Sequence, residues 1–154
     1  MTFPRGLPAF SLFLVVLTLG ASARAQTFTQ VRDTGPRANR LNLVFMAEGD
    51  TVAESAKFSV DAAVKLQVIL GNEAWSRFAD SINAFTIFVA SAESGADDPV
   101  NGIVRDTYFN STFNFLGIDR LLALPSSGTG KVQSLLTQYV PDWDVALGRA
   151  SCRE

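Results

Sequence analysis

The chain has 154 residues, with 13 Lys or Arg against 15 Asp or Glu and no histidine anywhere. A chain without imidazole has no means of its own for histidine-dependent zinc ligation or for triad chemistry. Apart from Arg5 and Arg24 near the start, its basic residues are scattered singly from Arg32 to Arg153, without the clustering that phosphate-backbone binding requires, so nucleic acid is not an expected partner.

The first residues have the pattern of an export leader. Arg5 supplies a positive start, Leu7 to Leu19 is almost wholly apolar, and Ala23-Arg24-Ala25 before Gln26 fits the small-residue pattern of a cleavage site. The apolar stretch is shorter than the roughly 20 residues that span a bilayer. Residues 1–25 are therefore expected to be a leader cut after Ala25, with Ala23 the second choice, leaving no stable membrane anchor and a periplasmic or extracellular location. Arg5 and Arg24 leave with the leader, so 11 basic residues face 15 acidic ones, a net charge of −4. The lone cysteine, Cys152, has no partner for an intrachain disulfide.

Residues 26–40 are polar and contain Gly35-Pro36, which predicts a leading segment ahead of the fold proper. Leu41 to Met46 is an apolar run of strand length, followed by the turn chemistry of Ala47-Glu48-Gly49-Asp50. Thr51-Val52-Ala53-Glu54 has the form of a capping box and opens a helix. On that helix Glu54, Lys57, Asp61 and Lys65 predict one solvated stripe. Ala56, Val60, Ala63, Val64, Leu66, Val68 and Ile69 are expected to cover most of the rest as the sheet-facing side, and Gly71 stops the helix. Asn72 caps a second, short helix running through Phe78. Ala84 to Ala90 is rich in β-formers and predicts a second strand.

A strand, a crossover helix and a strand imply a right-handed parallel βαβ unit whose loops lie at the C-terminal ends of the strands. The fold class expected is therefore α/β, a parallel or mixed sheet with flanking helices. Glu48, Asp50, Glu93, Asp97 and Asp98 would share one rim, as candidate cleft-rim residues. Beyond Glu93 the chain is irregular up to Gly128. Lys131 to Tyr139 predicts a helix with Val132, Leu135 and Leu136 inward, and Trp143 to Leu147 opens another strand. That strand is expected to stop at Gly148, which makes residues 41–147 the α/β unit and 148–154 an aberrant polar tail.

Most short motifs have ordinary explanations. Ser126 to Lys131 lacks the residues of a phosphate loop, with Pro125 and Val132 where glycine and a hydroxyl residue are needed, and is expected to be a connector before the helix. Glu93 to Asp98 offers three carboxylates, suggestive of Ca²⁺, but without regular calcium-loop spacing; a turn with solvated acids is the better expectation. Asn110-Ser111-Thr112 has the form of a glycosylation acceptor. There is no Gly-x-Ser-x-Gly elbow, so hydrolysis through an activated Ser or Cys has no support.

The succession from Asn39 to Met46, then Glu48-Gly49, Thr51 and Glu54, Phe85 to Ala90, Glu93-Ser94-Gly95, Arg105-Asp106-Thr107, Phe113-Asn114 and Gly117 to Leu122 resembles the IgA-peptidase-like zinc metallopeptidases. The likeness runs from about Arg37 to Leu147 and covers the N-terminal part of the family's catalytic domain. It implies an exported zinc peptidase acting on protein or peptide substrates, with zinc held by a later His-Glu-x-x-His helix. No such motif stands in these residues, so no catalytic, cofactor-binding or metal position carries over. Zinc and a peptide substrate are expected only for a full-length relative.

Departures from the family pattern also shape the expectations. Ala47-Glu48-Gly49 stands where the family tends to have Gly-Asp-Gly, Asp50 replaces a typical tyrosine, and the polar stretch after Leu147 has the look of a frameshift or premature stop. The chain is thus expected to be the catalytically silent front of such an enzyme, or alternatively a non-enzymatic exported α/β binding module. A sheet built for a larger domain should leave an apolar patch near Val145, with Val44, Phe45, Phe88 and Val145 all in the sheet.

Overall fold

The computed structural model describes residues 25–150. The predicted leader, apart from Ala25, and Cys152 with its neighbours in the tail lie outside them. Four strands form one mixed sheet: β1 (Gln26–Arg32), β2 (Leu41–Glu48), β3 (Ile82–Val89) and β4 (Val145–Ala150), in the order β1-β3-β2-β4. β2 runs parallel to both β3 and β4, and β1 is antiparallel to β3.

The expected βαβ unit is present. β2 leads through α1 (Ser55–Gly71) and the short α2 (Glu73–Ser76) into β3, and the two strands pair from Leu41↔Ile82 to Met46↔Ile87. Both strands are buried along nearly their whole length because each face of the sheet is covered, which is why they are near-continuous apolar runs in the sequence. One set of alternate residues, Leu43, Phe45, Ala84 and Phe88, meets Phe58, Ala62 and Leu66 of α1. The other, Val44, Met46, Phe85, Ile87 and Val89, meets Leu135, Leu136 and Val140, the first two from α3 (Ser126–Tyr139), together with Phe109 from the long loop.

Several expectations need correction. Residues 26–32 are not a lead-in but an edge strand. Phe28 stacks on Phe85 at 5.9 Å and on Tyr139 at 5.2 Å, and that aromatic packing, invisible in a polar composition, recruits the segment. α1 buries Phe58, Ala62 and Leu66, whereas Val60, Val64 and Val68 are 62%, 55% and 65% exposed. Two apolar stripes compete on this helix, and the bulkier one wins because Phe58 packs against Phe88 at 5.8 Å. α3 starts at Ser126, so the supposed connector is its first turn. Gly128 is buried there against the carbonyl of Phe109, an approach that a Cβ would block.

The strand expected to end at Leu147 continues, with Gly148, Arg149 and Ala150 opposite Met46, Ala47 and Glu48. Ladder pairing uses the backbone, so a polar stretch can still extend an edge strand. A groove of about 250 Å³ lies between α1 and β4, lined by Phe45, Phe58, Ala62, Lys65, Ile69, Leu147 and Gly148; its apolar lining includes the buried Phe45, Phe58 and Ala62.

Candidate functional site at the strand ends

The loops at the C-terminal ends of β2 and β3 meet as the parallel topology requires. Ser91 N–H donates to the Asp50 carbonyl at 2.8 Å, and Gly95 N–H donates to the Gly49 carbonyl at 2.9 Å. Gly49 has φ +68, and a Cβ on it would run into the Gly95 carbonyl, so the two loops touch backbone to backbone.

Glu48, the last residue of β2, is only 3% exposed. Its carboxylate accepts four hydrogen bonds: from Thr107 Oγ1 at 2.7 Å, Ser111 Oγ at 2.7 Å and Ser111 N at 3.0 Å on Oε1, and from Phe109 N at 3.1 Å on Oε2. Every donor belongs to the stretch 107–111. A buried charge without a cationic partner is tolerated when hydrogen bonds replace its hydration, and here they also fasten an irregular loop to the sheet. Ser111 is fully buried in this arrangement, whereas the preceding Asn110 is exposed with φ +55.

The other predicted rim residues reach the same end of the sheet with different duties. Asp50 is buried. Glu93 takes the Asp106 N–H on Oε2 at 2.7 Å and pairs through Oε1 with Arg105 at 3.7 Å. Asp97 Oδ1 accepts from Arg105 N at 2.6 Å, and buried Asp98 takes the backbone and side-chain N–H groups of Asn101 at 3.3 Å and 2.8 Å. The acids of 93–98 thus shape the turns of the loop rather than converging on one point. Among the described residues no group of three or more His, Cys, Asp or Glu could hold a metal ion.

Of the predicted set, Asp98 lines a cleft of about 690 Å³ bounded also by Val100, Asn101, Phe113, Asn114, Asp119 and Arg120. Sequence reasoning did not name Thr107, Ser111, Phe113 or Arg120 as site residues, because nothing local marks them; long-range contacts alone bring them to the rim. Beside the cleft, Asn114, Leu116 and Gly117 take left-handed conformations, and Leu116 and Ile118 project into solvent.

The capping box forms, with one difference from its simplest form: the Glu54 carboxylate accepts both the N–H and the O–H of Thr51 at 2.8 Å, and its other oxygen accepts from Ser94 Oγ at 2.8 Å. The Thr51 amide, aided by the two hydroxyls and Lys57, holds the Glu54 carboxyl below the usual glutamate range against the opposing effect of burial. A depressed folded-state pKa contributes stability above the unfolded value and loses it as pH falls through the folded value. Glu54→Gln is therefore expected to flatten the acid-side fall in stability measured by urea unfolding at successive pH values. An unchanged acid slope would contradict this role.

With fold and rim in place, comparison with known families assigns the class. Residues 29–136 match the model of the IgA peptidase M64 family, well over half of the chain, and the protein belongs to that family. No curated protein matches the chain. The zinc that a peptidase of this kind implies does not fit the residues present. There is no imidazole, the buried Glu48 carboxylate already accepts four hydrogen bonds, and among the described residues the acids do not gather into a group that could hold a metal ion.

Proposed function

We propose that these 154 residues are the exported front part of an M64-family peptidase domain, supplying the sheet, the crossover helix and one wall of a substrate cleft while being catalytically silent on their own. The observation that carries this reading is Glu48. Its carboxylate is buried at the end of β2, and all of its hydrogen bonds go to holding the 107–111 loop, which is structural work rather than proton transfer or metal ligation. Export is supported by the leader pattern of residues 1–25, and no helix among the described residues is long and apolar enough to cross a membrane. A protein or peptide substrate then belongs to the metal-bearing enzyme, and the acidic balance of the mature chain gives nucleic acid no foothold.

Metal analysis and peptide hydrolysis test the reading together. The purified chain is expected to hold no stoichiometric zinc and to cleave neither immunoglobulin nor a general peptide panel in a chelator-sensitive way. One tightly held Zn²⁺ per molecule, with cleavage abolished by a chelator, would overturn it. The open cleft beside Asp98 and Arg120 favours a second reading, a non-enzymatic binding module. A reading frame encoding His-Glu-x-x-His downstream of Glu154 would decide for the peptidase part, and its absence for the module.

A further inference from the structure

The sheet register determines what becomes of Gln26 once the leader is removed. Gln26 stands opposite Val89, and the flanking Ala90 N–H donates to the Ala25 carbonyl at 3.0 Å. In an antiparallel ladder that bond makes Gln26 and Val89 a non-hydrogen-bonded pair, so the backbone nitrogen of Gln26 points away from β3. β1 is the outermost strand, and Gln26 is exposed. Its carboxamide donates one long hydrogen bond, from Nε2 to Tyr108 Oη at 3.3 Å. Both reacting ends of the residue, the nitrogen and the side-chain carbonyl carbon, are thus outside the sheet's bonding.

We propose that Gln26 closes into an N-terminal pyroglutamyl ring after cleavage behind Ala25, an inference that rests on the export reading above. The freed α-amine attacks Cδ, the N–Cδ bond forms, the Cδ–Nε2 bond breaks, and ammonia leaves with the proton that the attacking nitrogen gives up. No oxidant and no further reactant is needed. The ring removes the positive charge from the start of β1 and denies aminopeptidases their substrate amine. The cut takes with it the Ala25 carbonyl that accepts from Ala90 N–H, but the ring itself leaves the ladder with β3 from Thr27 onward undisturbed, because the Gln26 nitrogen donates nothing to it. The bond to Tyr108 Oη is given up.

The test is peptide mapping by mass spectrometry of the full chain expressed with its own leader in an exporting bacterial host. The expected N-terminal peptide begins at Gln26, is lighter by one ammonia and resists stepwise N-terminal degradation. Tyr108→Phe, which frees the carboxamide, should speed closure about two- to ten-fold, the worth of one hydrogen bond. An open Gln26 that persists after prolonged incubation at neutral pH overturns the proposal. A peptide starting at Arg24, or still carrying the leader, overturns it at the processing step. A chain trimmed enzymatically to Gln26 keeps the two failures apart: ring closure there places the fault in the cut alone, and an open glutamine overturns the chemistry itself.

Discussion

Glu48→Ala is expected to lower the unfolding free energy by about 3–5 kcal/mol, among the larger effects a single substitution produces. The loss comes from the partners left behind rather than from the missing side chain. Thr107 Oγ1, Phe109 N, Ser111 N and Ser111 Oγ would face an empty space where the carboxylate stood, and Ser111 and Thr107 are almost completely buried. Because the donors all lie in one stretch, local opening should precede global unfolding. Hydrogen exchange should show faster exchange at Phe109 and Ser111 and an unchanged rate at Phe85 and Ile87 in β3. Glu48→Gln keeps an acceptor but turns an NH₂ group toward donors, so it should fall between wild type and alanine. A loss within about 0.5 kcal/mol for the alanine variant, the range of ordinary surface changes, would show that the loop does not depend on this carboxylate.

Gly49→Ala should cost more than about 3 kcal/mol or prevent folding. Two effects combine there. A left-handed φ of +68 costs a residue with a Cβ roughly 1–2 kcal/mol, and the new methyl would collide with the Gly95 carbonyl, forcing apart the loops that the Gly95 N–H to Gly49 carbonyl bond joins. Gly102→Ala separates the two contributions: its φ of +66 is nearly the same, yet nothing stands within 4 Å of the added atom. That variant should lose only the conformational part, about 1–2 kcal/mol. Equal losses in urea unfolding midpoints for the two variants would remove the backbone collision as a cause.

The parallel core was legible in the sequence because its signals are local. The apolar runs of Leu41 to Met46 and Ala84 to Ala90, with a capped helix between them, leave few topologies once right-handed crossover is required. The same rule puts Glu48, Asp50 and the 93–98 acids at one end of the sheet, because loops that follow parallel strands leave at their C-terminal ends. The duties of those acids were not legible: a carboxylate's partners are chosen by segments far along the chain, and Glu48 finds its own some 60 residues away at Thr107, Phe109 and Ser111.

What the sequence by itself determined is the α/β class, the βαβ unit, the capping of its helix and the absence of any imidazole chemistry. All of these depend on residue identity or on spacing within a few turns. Only the tertiary structure decided which stripe of α1 turns inward, that residues 26–32 join the sheet and that the strand after Val145 runs on to Ala150. It also decided that Glu48 anchors a loop instead of facing the cleft. In each case the local signals allowed two readings, and the choice fell to packing and hydrogen bonds between distant segments: Phe58 against Phe88, Phe28 against Phe85, a backbone ladder beside β2, and four donors around one buried carboxylate.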